Sequence, residues 1–156
     1  MGNIITKEIE KVVNQILDKC ESIQLASITE EGFPRICEME KVFAKNIYEI
    51  ILMTTKNSKK IEHYIKNNKA GIGFSDENNS ISLMGYVKVM EIEIFKKQIK
   101  NTIDMERWYK KDENDKYIYC AIYFNLEEAD FFIEGKKWNY SINSMDKNNF
   151  EKEKFK

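Results

Sequence analysis

Apolar residues recur at Ile9, Val12, Val13, Ile16, Leu17 and Cys20, the i, i+3, i+4, i+7 spacing of one helix face. This predicts a helix over about 6–20, capped by Thr6, with Glu8 and Glu10 at the positive end of its dipole. From Ile23 the pattern changes. Residues 23–29 read as a strand, and Glu30-Glu31-Gly32-Phe33 as a turn in which Gly32 supplies a positive φ. Pro34, the chain's single proline, can open a strand or sit on an edge. Residues 35–44 and 47–55 read as a hairpin turning at Lys45-Asn46. Ser58 then caps a helix over about 59–68, with Ile61, Tyr64 and Ile65 inward.

The second half is strand-rich. Residues 71–75 form a fourth strand, 76–79 a turn and 80–95 a long fifth strand. In that strand Ile81, Leu83, Gly85, Val87 and Val89 alternate with Ser82, Met84, Tyr86, Lys88 and Met90. Both faces are fairly apolar, which predicts burial on two sides or an interface. Residues 96–110 read as a broken helical stretch, and 117–125 and 129–133 as strands six and seven. About six to seven long antiparallel strands with two to three peripheral helices predict an α+β barrel, not a doubly wound sheet. The reading is one domain over 1–140 and a polar, frayed tail over 141–156.

Composition narrows the function classes. The chain has 156 residues, with 25 Lys+Arg against 26 Asp+Glu, so no basic excess exists to hold a nucleic-acid backbone. No window approaches the roughly 20 apolar residues of a membrane helix. Cys20, Cys37 and Cys120 are far apart, which excludes a paired-cysteine zinc site and points to free thiols in a cytoplasmic setting. No metal site is expected. His63 is the only histidine and reads as solvated or capping, not catalytic. Arg35 and Arg107 are the only arginines; either is a chance residue or a place where a bidentate fork is needed.

The most informative stretch is Met53-Thr54-Thr55-Lys56-Asn57-Ser58-Lys59-Lys60. A strand end, a polar loop and a helix start bring hydroxyls, lysines and free backbone N–H groups to one place. That arrangement suits an anion such as phosphate. The alternative is an N-capped surface helix with solvated lysines. The glycines of a P-loop are absent. Arg35 could reach the same cradle, or pair on the surface with Glu38 or Glu40. Trp138, among charged residues, is either a lid over the core or a stacking surface. Cys37 reads as packing.

Four stretches in order complete the picture. They are Leu25-Ala26-Ser27-Ile28-Thr29 with Gly32-Phe33-Pro34-Arg35; Thr54-x-x-x-Ser58-x-Lys60 and its helix; Ile81-Ser82-Leu83-Met84-Gly85-Tyr86-Val87; and Ala121-Ile122-Tyr123-Phe124 with Ala129-Asp130-Phe131-Phe132-Ile133. Together they resemble the pyridoxamine 5′-phosphate oxidase-like flavoproteins, the FMN-binding split barrels, and among them the small bacterial proteins akin to general stress protein 26. The resemblance implies a mainly antiparallel split β-barrel and a homodimer with FMN at the subunit interfaces. It implies that Thr54, Ser58, Lys59 and Lys60, assisted by Arg35, hold the FMN phosphate. Arg35, Ile36 and Cys37, with Met53 and Thr55, would line the isoalloxazine ring, and Ser80 or Ser82 and Trp138 would come from the partner.

The chain departs from the oxidase proper in two places. Glu38 and Glu40 occupy the stretch where that enzyme carries a lysine, and no Arg or His follows Trp138 in Asn139-Tyr140-Ser141-Ile142. Pyridoxamine phosphate oxidation is therefore not the expected activity. The leading expectation is a flavin-dependent oxidoreductase taking electrons from NAD(P)H to a small acceptor. The alternatives are a non-catalytic flavin carrier or stress-related sensor, or an apo split barrel that acts as an interaction module, a reading that repulsion of phosphate by Glu38 and Glu40 would favour.

Overall fold

The computed structural model describes residues 3–4, 6–95 and 106–142. Among the described residues two α-helices, α1 (Lys7–Lys19) and α2 (Lys59–Lys66), accompany nine strands. The strands are β1 (Asn3–Ile4), β2 (Ser22–Ile28), β3 (Pro34–Glu40), β4 (Phe43–Asn46), β5 (Glu49–Thr55), β6 (Lys69–Ser75), β7 (Ser80–Glu91), β8 (Tyr119–Ile133) and β9 (Lys136–Ser141). Short 3₁₀ turns at Ile92–Phe95 and Glu106–Tyr109 lie between β7 and β8.

The strands form one curled sheet in the order β1-β9-β8-β7-β6-β2-β3, antiparallel throughout except for the parallel β1–β9 contact. This is the α+β class expected from the strand pattern, in the split-barrel form that the resemblance implies. β8 organises it. One edge of β8 pairs with β7 from Tyr86↔Asn125 to Glu91↔Cys120 and from Ser80↔Phe132 to Met84↔Glu128. The other edge is shared: Tyr119–Phe124 pairs with β5, and Glu128–Ile133 with β9. β5 also carries β4, but only as far as Ile51.

Local chemistry explains the elements. The Thr6 hydroxyl accepts from the Ile9 N–H at 3.3 Å and caps α1 as predicted. Gly32 takes φ +88° in the β2–β3 turn, and Pro34 opens β3. The predicted 35–44 strand is broken after Glu40. Lys41 leaves the ladder, and its ammonium donates to the Leu17 and Asp18 carbonyls at 2.5 and 2.8 Å, where the negative end of the α1 dipole favours a cation. β3 therefore pairs with β2, while the hairpin of this region is β4–β5, turning at Ile47-Tyr48 instead of Lys45-Asn46.

The predicted strands six and seven are one strand. A register shift opposite Met84 and Gly85 makes Glu127 an extra residue, so β8 bends and continues. β9 was not anticipated. It follows a tight hairpin in which Glu134 (φ 51°) and Gly135 (φ 78°) both take positive φ, the conformation of a type I′ turn. Ile92–Phe95 leaves the ladder that was expected to run to residue 95. Of the helical stretch expected over 96–110, Glu106–Tyr109 is a 3₁₀ turn and 96–105 lie outside the described residues. Of the tail, Ser141 ends β9, Ile142 packs on the core, and 143–156 lie outside the described residues.

β5 is buried on both faces because two cores meet on it. Ile50 and Leu52 join the main cluster with Val13, Ile16 and Leu17 of α1, Ile61 and Tyr64 of α2, and Phe124 and Phe131 of β8. Ile51 and Met53 face the other way, into a cluster with Val42, Ile92, Trp108, Ala121 and Tyr123. β7 is buried on one face only: Ile81, Leu83, Gly85 and Val87 point in, while Met84 and Tyr86 stay exposed.

Candidate functional site

β3 and β5 are neighbours in space but not in the ladder. β3 ends the sheet, with β2 on its other edge, and β4 leaves β5 at Ile51. Arg35–Cys37 and Leu52–Thr55 thus present strand edges across the split, each a row of backbone donors and acceptors open to a third party. α2 starts beside this split. Its position is fixed from below by the Tyr64 hydroxyl donating to the Ala26 carbonyl at 2.9 Å, and burial pushes that hydroxyl's pKa up.

The predicted phosphate cradle assembles at the helix start. Thr54, inward-facing and buried, donates through Oγ1 to Ser58 Oγ at 3.2 Å and accepts from the Lys60 ammonium at 3.2 Å. Ser58 sits at the N-cap, yet its hydroxyl makes no capping hydrogen bond. The first N–H groups of α2 are thereby spared the usual side-chain acceptor, and the hydroxyl serves the cluster instead.

Arg35 and Lys59 meet at an adjoining cavity of about 720 Å³, also lined by the Thr29–Gly32 turn and by Glu62, His63 and Lys66. Neither Arg35 nor Lys59 has an ion pair among the described residues. Glu38 and Glu40 lie on the opposite face of β3 from Arg35 and Cys37. Glu38 accepts from the Ser22 hydroxyl at 2.6 Å, and Glu40 pairs with Arg107, whose guanidinium also lies over the Trp108 ring at 4.3 Å. The two carboxylates flagged as repelling a phosphate have other partners.

The remaining sequence-predicted residues fall into two groups. Ile36 is 66% exposed on the outer face of β3. Cys37 is half-buried, with Sγ 3.7 Å from the Leu25 carbonyl. Met53 is packed in the second cluster, so only its backbone reaches the split, and the Thr55 carbonyl accepts the Ser58 N–H at 3.1 Å. Ser80, Ser82 and Trp138 do not join the cradle on this chain. They line a separate cavity of about 460 Å³ together with Asp130, Lys137 and Asn139. The Trp138 ring packs on the main core cluster, and its buried indole N–H has no hydrogen-bond acceptor among the described residues.

Sequence reading missed Ser27 and undervalued His63. Ser27, 4% exposed, holds His63 Nδ1 at 2.9 Å, so the half-buried imidazole is fixed in the cavity wall. The available signal was spacing: Lys59, His63 and Lys66 stand at i, i+4 and i+7, one face of α2.

No sequence-family model and no curated protein matches this chain. Solved structures do. A Clostridium acetobutylicum protein related to general stress protein 26, of the pyridoxinephosphate oxidase family, superposes with a TM-score of 0.73 over 88% of this chain and 97% of its own, at 21% identity. The general stress protein 26 of Bacillus anthracis gives 0.66 over 86% and 99%, at 16% identity. A pyridoxamine 5′-phosphate oxidase-related, FMN-binding protein of Nostoc punctiforme gives 0.62 over 86% and 88%, at 13% identity.

The fold is the pyridoxamine 5′-phosphate oxidase-like split barrel. The match spans nearly the full length of the first two of these neighbours. No described helix is long and apolar enough to cross a membrane.

Proposed function

We propose that this chain binds FMN at the split between β3 and β5, as a homodimer, and works as a flavin-dependent oxidoreductase on a small acceptor with NAD(P)H as donor. The observation that carries the reading is the pairing of two open strand edges with a cationic, hydroxyl-rich helix start. A flat heteroaromatic ring with a phosphate tail matches both parts. Arg35, Lys59 and Lys60 supply charge to the phosphate, and Thr54 and Ser58 supply hydroxyls. The backbone of Arg35–Cys37 and Met53–Thr55 meets the ring edge. The Nostoc neighbour, described as FMN-binding, has the same fold.

Bound flavin supplies reversible two-electron transfer, so the protein needs no side-chain nucleophile; its residues bind, orient and exclude water. The absence of Arg and His after Trp138 speaks against pyridoxamine phosphate as the substrate.

Two features support a second copy. Ser80, Ser82 and Trp138 line a cavity apart from the cradle, a place from which they would serve a partner's flavin. Ile36, Ala26, Gly71 and Met84 also form a register row across the outer sheet face, with Ile36 66% and Met84 38% exposed. Such a patch marks an interaction surface.

The test is a visible absorption scan of purified protein before and after incubation with FMN and removal of the excess. Retained flavin bands, bleached by NADH or NADPH, are expected. Retained bands without bleaching would make the protein a flavin carrier or sensor. A colourless dimer that cannot be reconstituted would refute the flavin site and leave an interaction module.

A further inference from the structure

The second core cluster covers the outer face of β5 and of the first half of β8, through Ile51, Met53, Ala121 and Tyr123. On the same face β3, β2, β6 and β7 present the row Ile36-Ala26-Gly71-Met84, small in the middle, with its large ends Ile36 and Met84 exposed. The next row toward the end of β3 is Glu38-Gln24-Gly73-Ser82. Neither Gly71 nor Gly73 takes a positive φ, and a Cβ there would meet its nearest neighbour at 3.5 and 3.9 Å, ordinary contact. The packing of the single chain does not call for glycine at either position. A glycine inside a strand weakens it, and such glycines mark places where another backbone approaches closely. Glu38 has no ion pair among the described residues; its Oε1 accepts from the Ser22 hydroxyl at 2.6 Å, which leaves Oε2 for a further donor.

We propose that this face packs on the same face of a second copy about a two-fold axis parallel to the strands, lying between β2 and β6. The inference rests on the second copy of the proposed function, not on the flavin. In a face-to-face contact the axis lies in the plane of contact, and sheets that pack aligned restrict it to run nearly along the strands or nearly across them. Along the strands, it sets Ala26 on the partner's Gly71 and Ile36 on the partner's Met84. Because the sheet curls toward the core, its outer face is convex. Two copies then come closest at the small residues, and the large ends fill the widening gap. Gln24 meets the partner's Gly73, and Glu38 meets the partner's Ser82, a hydroxyl donor for the remaining carboxylate oxygen. Lys69 falls at the rim, its stem on the partner's Ile28 and its ammonium in water. An axis across the strands would instead press Glu38 on the partner's Pro34, which removes a charge from water and gives it no donor.

The test is cross-linking of the full chain carrying Ile36→Cys and Met84→Cys, together and singly, with a short bismaleimide and a denaturing gel. Wild type sets the background from Cys20, Cys37 and Cys120. Positions 36 and 84 are three strands apart in one chain, about 14 Å, so the reagent cannot join them there. The double variant should give a strong dimer band and each single variant only background, because the axis leaves like positions equally far apart. A dimer in which Ile36→Cys alone cross-links as well as the pair would put the axis across the strands and overturn the inference. So would a dimer that no combination cross-links. Gly73→Val gives a second reading: the chain itself has room for the side chain, so circular dichroism should match wild type, while dimer affinity by sedimentation should fall about tenfold or more. Unchanged affinity overturns the inference. A wild-type chain that is monomeric at every concentration overturns both the inference and the second copy beneath it, whether or not FMN binds.

Discussion

Gly85→Ala places a methyl group where β7 and β8 come closest. An added Cβ would sit 1.9 Å from the Asn125 carbonyl oxygen, 2.9 Å from its carbon and 3.0 Å from Phe124 Cζ. Ordinary carbon–oxygen contact begins near about 3.3 Å. The near atom is backbone in the middle of the longest strand pair, at the register shift, so no side chain can swing away to relieve the overlap. Overpacking of this kind costs about 1–3 kcal/mol and more where backbone must move, so a loss of about 3 kcal/mol is expected. For a domain of this size that is a fall of roughly 6–12 °C in Tm. Urea unfolding followed by circular dichroism measures it directly. Gly71→Ala is the control: its Cβ meets Ala26 Cβ at 3.5 Å, ordinary contact, and should be within about 1 kcal/mol of wild type. A Gly85→Ala midpoint equal to that of Gly71→Ala would refute the packing argument.

Three further outcomes are expected. Lys60→Glu reverses the charge that donates to Thr54, so FMN affinity should fall more than about tenfold, or ~1.4 kcal/mol, in a fluorescence titration; unchanged affinity would move the phosphate elsewhere. Met84→Asp places a charge in the exposed apolar row and should convert the dimer to a folded monomer by sedimentation; a surviving dimer would assign that row another role. Burial pushes the Cys120 thiol up to about 11, against about 8.5 when unfolded, so it should resist thiol reagents at pH 8 until the protein is denatured. Because the unfolded thiol loses its proton first, stability should decline as pH rises through that window, and the part of the decline due to this thiol should be absent in Cys120→Ala.

The sequence showed most of the architecture where one period dominated. The stripe from Ile9 to Cys20 and the Gly32 turn each carry an unmixed signal and formed as read, while β7 formed from its alternation but ended at Glu91 and is buried on one face only. Failures came where tertiary bonds overrode local pattern. Nothing local says that Lys41 will abandon a strand to cap α1, because its acceptors, Leu17 and Asp18, lie on the preceding helix. Leu126-Glu127-Glu128 looks like a break because polar residues interrupt the run, yet a bulge absorbs the extra residue. β9 was legible and overlooked: Trp138, Tyr140 and Ile142 alternate after a Gly135 turn. The hydroxyl–lysine cluster was visible in Thr54-x-x-x-Ser58-x-Lys60. The Ser27–His63 pair joins β2 to α2 and became visible only when the two were in contact.

The divided edge of β8 has a consequence for how the molecule opens. Its first half lies between β7 and β5, strands with neighbours of their own. Its second half lies between β7 and β9, and beyond β9 there is only the two-residue β1. Amide protons pointing from Cys120–Phe124 toward β5 are released only when the sheet comes apart as a whole. Those pointing from Glu128–Phe132 toward β9 are released by a local peeling of one hairpin. In hydrogen exchange a single unbroken strand should therefore behave as two, with the boundary at the bulge around Glu127. The fast side is the side that carries Trp138.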